Sequence, residues 1–241
     1  MTKLGKWALV TGAGRRIGRA IAETLAADGM NVHLHVNTSH NAGVSLAREL
    51  ERRYGVETCL HRADFSYERQ VSDLITKVIE AEQRPSLLVN SASLFQHSDD
   101  IKGRLIERDC LELFLQVNAI APILLSTMVE PGGGAVVNIL DARTSKFEPN
   151  RFYYNLSKSL LESATYALAM GLAPAVRVNA IALGLVLPPA GESDGCLQSK
   201  AATAPLRRPA TISDVTNAVL YFQAATSVTG QVIFVDSGEH L

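Results

Sequence analysis

Short apolar runs rich in β-branched residues alternate, from one end of the chain to the other, with longer segments whose apolar positions recur every three to four residues. That alternation is the signature of βαβ units feeding a parallel sheet. The short runs predict strands at Trp7–Thr11, Asn31–Val36, Glu57–Arg62, Leu87–Asn90, Ala135–Leu140, Arg177–Ile181 and Gln231–Val235, enough for one seven-stranded sheet. The periodic segments predict helices over Ile17–Asp28, Ala42–Tyr54, Glu68–Glu82, Leu105–Val129, Phe152–Gly171 and Ile212–Ala224. No low-complexity linker, short-period repeat or charge block interrupts the series, so residues 1–241 read as a single α/β domain.

Two connections are longer than the rest and richer in turn-forming residues, Ser93–Arg104 and Ala182–Arg208. Ligands of open parallel sheets sit outside the carboxyl ends of the strands, where both connections emerge. They are candidate walls of a substrate pocket.

Composition narrows the function classes. An apolar content of 47% is enough for a sizeable core, and 23 Lys plus Arg against 24 Asp plus Glu leave no global field to attract nucleic acid or an anionic membrane. Cys59, Cys110 and Cys196 are odd in number and lie far apart without CxxC spacing, as expected of a reduced protein with structural cysteines. The apolar stretch after Trp7 is too short for a signal peptide. No uninterrupted apolar run approaches the roughly 18 to 20 residues that cross a bilayer. A cytoplasmic protein without membrane partners is the expectation. His33, His35, His40, His61 and His97 are scattered along the chain, and no metal site is expected from their spacing. His97, beside the pocket connection, reads as a surface residue.

The segment Thr11-Gly12-Ala13-Gly14-Arg15-Arg16-Ile17-Gly18 joins the first strand to the first helix. Glycines permit a tight turn and close approach of a ligand, and the free N–H groups of a helix start attract a pyrophosphate. A carboxylate near the end of the second strand would bind the ribose 2′-hydroxyl of NAD. Here the chain reads His35-Val36-Asn37-Thr38-Ser39-His40, with neutral donors instead, and Arg15 and Arg16 stand in the turn. That combination favours NADPH.

Tyr154 and Lys158 lie four residues apart on a predicted helix and share one face. With Thr11–Gly18, Asn90-Ser91-Ala92-Ser93, Asn118 and Arg177-Val178-Asn179, this ordered set resembles the short-chain dehydrogenase/reductase family over essentially the whole chain. The resemblance implies a doubly wound, Rossmann-type seven-stranded sheet with helices on both faces. It implies that Tyr154 is the proton donor and that Lys158 binds the nicotinamide ribose while favouring the ionised phenol. It also implies that Asn118 holds a water of the proton relay. Cofactor contacts are implied for Gly12, Gly14, Arg15, Arg16, Ile17, Gly18, Asn37, Thr38, Ser39, Asp64, Phe65, Asn90, Ala92 and Gly184, together with Tyr154 and Lys158. Homodimers or homotetramers pairing through the fourth and fifth helices are implied as well, with the segment Val235–Leu241 sized to join such an interface.

One departure from the family pattern is informative. Most members carry a serine at the end of the fifth strand, where it meets a substrate carbonyl; this chain has Asp141 there. A carboxylate suits a ring N–H better than a ketone oxygen. In this the chain resembles the pteridine reductase branch, as it does in Arg16 within the turn and in Ala92, Ser93 and Phe95 after the fourth strand. That branch implies a pterin stacked on Phe95, with Ser93, Arg16, Asp141 and Tyr154 at its polar edge, and reduction of dihydromonapterin, dihydrobiopterin or dihydrofolate. Other departures are Ser91 in place of a second Asn, and Leu183-Gly184 in place of Pro-Gly, which leaves the path of the following loop open. A carbonyl or 3-oxoacyl reductase, and a nonenzymatic NADPH-binding protein, remain the alternatives.

Overall fold

A computed structural model describes residues 5–95, 105–144, 146, 150–188 and 194–241, with the side chains of residues 194, 196 and 200 outside the description. The predicted strands form as β1 (Trp7–Val10), β2 (Asn31–Val36), β3 (Thr58–Arg62), β4 (Pro85–Asn90), β5 (Gly134–Asp141), β6 (Val176–Leu183) and β7 (Val232–Val235). They join one parallel sheet in the order β3-β2-β1-β4-β5-β6-β7. The crossovers run one way after β1 and the other way after β4, which puts the topological switch point, and hence the natural ligand crevice, between those two strands.

The helices are α1 (Arg16–Ala27), α2 (His40–Tyr54), α3 (Glu68–Glu80), α4 (Arg108–Leu115), α5 (Ala121–Ser126), α6 (Phe152–Gly171), α7 (Asp194–Ala201) and α8 (Ile212–Ala224). Apolar stripes decide which face each one covers. Ile21 and Leu25 of α1, Leu46 and Leu50 of α2, and Val215, Val219 and Phe222 of α8 build one core against the sheet. Val71, Leu74 and Val78 of α3, Leu125 of α5 and Ala169 of α6 build the other. Each buried Leu or Phe contributes on the order of 2 kcal/mol, and truncating one to Ala costs about 2–5 kcal/mol. α8 starts at a reciprocal capping box in which Thr211 and Asp214 satisfy one another's backbone amides.

Two elements differ from the sequence expectation. The helix expected over Leu105–Val129 begins only at Arg108, and Leu105 and Ile106 ahead of it are exposed apolar residues. It ends at Ser126 in tight turns that leave Met128 and Val129 in the core. Between α4 and α5 it passes through a π-turn, Gln116–Ile120. The combined stretch Arg108–Ser126 is long and apolar enough by composition to cross a membrane, yet here it packs against α6 and α3. The connection expected over Ala182–Arg208 is shorter: β6 continues through Leu183, held by pairing with Asp141 on one side and Val235 on the other, and α7 occupies its middle.

Candidate active site

At the switch point the backbone of β1 enters the glycine-rich turn. The Thr11 hydroxyl oxygen accepts from the amides of Ser91 and Ala92, both at 2.9 Å, and so ties this turn to the segment after β4. Gly12 has φ +68°, and a Cβ there would lie 3.0 Å from Ala92 Cα, so both conformation and space require glycine. A Cβ at Gly14 would collide with Ser39, and one at Gly18 with the Gly12 carbonyl. His35 braces the turn from below: its Nε2–H donates to Ala63 O at 3.0 Å and its Nδ1 accepts from Gly12 N at 3.2 Å. Burial lowers its pKa to about 4, which keeps the ring neutral for that pairing.

Of the residues expected around the ribose, Asn37 and Thr38 are exposed at the end of β2, as are Arg15 and Arg16 in the turn, while Ser39 is half-buried. The nearby Asp64 carboxyl is engaged by the Ser66 amide and hydroxyl at 3.0 and 2.7 Å. Burial opposes its ionisation, but the bonds from Ser66 and Asn37 outweigh that and hold its pKa below the usual carboxylate range. The Phe65 ring, expected at the cofactor, is instead buried and stacked on His35 at 4.0 Å, so only its backbone is available to a ligand. Arg16 adopts φ +53°, in the left-handed region that glycine favours, and its guanidinium donates to Pro188 O at 2.9 Å. It therefore bridges the turn and the loop after β6. Gly184 begins that loop, packed so tightly on Asp236 that a side chain would clash.

The second half of the site comes from β5 and α6. Tyr154 donates to Asp141 Oδ2 at 3.3 Å across the expected spacing of 13 residues, and Asp141 Oδ1 accepts from the Arg143 amide at 2.8 Å. The Arg143 guanidinium lies 3.8 Å from Asp141 Oδ1 and 3.4 Å from Glu239 Oε1, linking the site to the C-terminal segment. Burial, then the Asp141 charge and its hydrogen bond, raise the Tyr154 pKa well above the ordinary phenol value, against opposing charges on Arg151 and Arg143. Lys158, 3% exposed, donates to Ile139 O at 2.9 Å. Burial lowers its pKa to about 8, and the Asp141 charge limits the fall.

Asn118 lies in the π-turn, fully buried. Its carboxamide donates to Leu94 O at 3.0 Å and Ser157 Oγ at 2.9 Å, and accepts from Leu94 N at 2.7 Å and Ser93 Oγ at 3.2 Å. All four hydrogen-bonding positions of the side chain are filled, so the side chain itself has none left for a relay water. The side chain instead pins the segment that carries Ser93 and Phe95. Asn90 lies beneath, buried, donating to Asn138 at 2.9 Å. The 40%-exposed Phe95 ring meets Tyr154 edge to face at 4.9 Å, with the Arg151 guanidinium 5.4 Å from its centroid. His97 lies outside the described residues.

Thus Asp141, Tyr154, Lys158, Asn118, Ser93 and Phe95 form one cluster, and the turn lies across the switch point from it. Ser157, Arg143 and Glu239 were not singled out from sequence, and Thr11 was read only as the start of the glycine-rich segment; a single polar side chain in a helix or loop carries no periodic signal. The histidines read as scattered are also regrouped. Parallel pairing sets His33 opposite Cys59 and His35 opposite His61, so His33, Cys59 and His61 stand together on one sheet face.

A family model described as enoyl-(acyl carrier protein) reductase matches residues 12–240. The crystal structure of FolM alternative dihydrofolate reductase 1 from Brucella canis complexed with NADP superposes with a TM-score of 0.91 at 34% identity, covering 99% of this chain and 95% of that one. The Brucella suis FolM structure, also in complex with NADP, gives a TM-score of 0.86 at 36% identity, covering 98% and 95%. The 3-oxoacyl-(acyl-carrier-protein) reductase FabG of Aquifex aeolicus is 30% identical over 97% of both chains. The similarity runs unbroken from the glycine-rich turn to the C-terminal segment, and the chain belongs to the short-chain dehydrogenase/reductase family.

Proposed function

We propose that the chain is an NADPH-dependent reductase of dihydropterins, acting on a substrate of the dihydromonapterin, dihydrobiopterin or dihydrofolate kind to give the tetrahydro form. The coarser activity is that of an NADP-dependent oxidoreductase. NADPH fits the residues present: side chains are excluded at Gly12, Gly14 and Gly18, where a pyrophosphate must approach, and Asn37 and Thr38 offer neutral groups beside Arg15 and Arg16 where a carboxylate would repel a 2′-phosphate. The bound cofactor supplies the hydride.

The observation that carries the reading is the Tyr154 hydroxyl held on Asp141 beneath an exposed Phe95. Phe95 offers a flat apolar surface for a heterocycle. Asp141, an acceptor for the tyrosine, suits a ring N–H on the substrate and would repel a ketone oxygen. Tyr154, its pKa raised, keeps its proton until a nitrogen gaining electron density beside the hydride acceptor takes it. Lys158, buried against the Ile139 carbonyl, favours the phenolate that results. A water near the Asn118 π-turn would return the proton.

A carbonyl or 3-oxoacyl reductase is the second reading, favoured by relatives such as FabG. NADPH oxidation with a panel of dihydropterins, dihydrofolate and an acetoacetyl thioester decides between them, with Tyr154→Phe as control. Pterin turnover abolished in the control supports the proposal. Turnover of the thioester alone removes it, and cofactor binding with no turnover of either would favour a nonenzymatic role.

A further inference from the structure

On the half of the sheet away from Tyr154, β2 and β3 place three metal-ligating side chains together. Nδ1 of His33 lies 2.9 Å from Nε2 of His61, and one ligand atom from each of His33, Cys59 and His61 lies within 4.8 Å of the others. His33 also contacts the Gln83 carbonyl through Nε2 at 2.9 Å. A carbonyl can only accept, so Nε2 carries the proton and the Nδ1 lone pair faces His61. A ligating histidine is oriented in this way when its far nitrogen donates to a backbone carbonyl. Trp7 stacks on the same ring at 4.4 Å and fixes its plane.

We propose that His33, Cys59 and His61 form a binding site for a zinc-class divalent ion, separate from the hydride-transfer site. Two imidazoles and one thiolate are the borderline-soft donor set that zinc prefers, and three protein ligands leave the fourth position of a tetrahedron open. Metal–nitrogen bonds of about 2.0 Å and a metal–sulfur bond of about 2.3 Å place tetrahedral ligand atoms roughly 3.3–3.6 Å apart. The two imidazole nitrogens, now 2.9 Å apart, need only separate by a few tenths of an ångström. β3 is the edge strand, and Cys59 and His61 are half-buried, so an ion can enter from solvent. The Gln83 side-chain oxygen accepts from Cys59 Sγ at 3.9 Å.

The hydrogen bonds also indicate which ring nitrogens carry protons. His61 donates through Nε2 to His33 in the metal-free protein; on binding, that proton moves to its Nδ1. The Cys59 thiol gives up its proton to ligate, so binding releases one proton to the buffer.

Titration of the full-length, metal-stripped protein with Co2+ tests the site, because a thiolate–cobalt pair gives a near-ultraviolet charge-transfer band and tetrahedral cobalt gives intense visible bands. One equivalent should produce both, Zn2+ should bleach both, and a Cys110→Ser control should keep both. Cys59→Ser should lose the near-ultraviolet band, and His61→Gln should weaken binding by more than about tenfold. Thermal melts of each variant without metal verify folding. NADPH binding should be unchanged in Cys59→Ser. Absence of the bands in folded wild-type protein, or their survival in Cys59→Ser, overturns the proposal.

Discussion

The Tyr154 hydroxyl and the Asp141 carboxylate share a 3.3 Å hydrogen bond, so the phenol donates to a group that opposes its ionisation. Removing that charge by Asp141→Ser should lower the Tyr154 pKa. A reductase needs the phenol protonated, so kcat/KM falls as pH rises through this pKa. The basic limb of the profile should move to lower pH by about one unit. Dihydropterin turnover should fall about a hundredfold or more, while any thioester reduction is retained or improved. An unchanged profile would detach Asp141 from the proton donor.

Lys158 should trade stability for chemistry. Its pKa falls from 10.5 to about 8 on folding. Below pH 8 the folded and unfolded states are both protonated and the full burial penalty applies. Between 8 and 10.5 the unfolded chain binds more protons, so stability rises with pH. Lys158→Met should therefore melt higher than wild type at pH 7, by an amount that shrinks above pH 8, with NADPH oxidation lost. Calorimetry of the cofactor-free proteins across that range measures it.

Arg16 holds a left-handed conformation that costs a side chain about 1 kcal/mol or more. Arg16→Gly should raise the melting temperature by about 2–4 °C. The same change removes the bond to Pro188 and a cation beside the ligand crevice, so KM for the dihydropterin should rise. A variant that melts lower, or binds substrate unchanged, would show that the conformation is not strained for binding.

Asn118→Ala leaves the Leu94 amide and carbonyl without their partner. A loss of about 2–3 kcal/mol in denaturant unfolding is expected, with faster hydrogen exchange at Leu94. Equal exchange in variant and wild type would argue against the pinning role.

Leu160, Tyr166 and Met170 project from α6 as exposed apolar side chains, and Ile120 from the π-turn does the same. We propose that these surfaces pair in a homodimer or homotetramer. Light scattering should find that assembly, and Met170→Asp with Tyr166→Asp should reduce it; a wild-type monomer at micromolar concentration would remove the idea.

Strands and helices were legible because burial on sheet and helix faces imposes apolar periods, whereas the Asp141–Tyr154 pair was legible only through the resemblance to the family pattern, since a loop separates β5 from α6. α7 was not: among its described side chains only Leu197 and Ala201 are buried, too few for a period to register. The His33, Cys59 and His61 group was hidden for a different reason. Linear spacing shows nothing until the pairing of β2 with β3 is known. Asn118 could be picked out by family likeness, but its saturated carboxamide depends on Leu94 and Ser157, which no local pattern connects to it.

The π-turn also acts as a phase shifter. Admitting one residue more than an α-helical turn advances everything downstream by about 100° around the axis. Phe114 and Leu125, roughly three turns apart, would share a stripe on an uninterrupted α-helix. Instead Phe114 packs with Tyr153 and Tyr154, while Leu125 belongs to the core beneath the sheet. One continuous rod thus serves two separate packing surfaces, and Asn118 occupies the seam where the rotation happens. Deleting a single residue there would restore a regular α-helical turn and leave Leu125 facing the core it now fills, while removing the seam that carries Asn118.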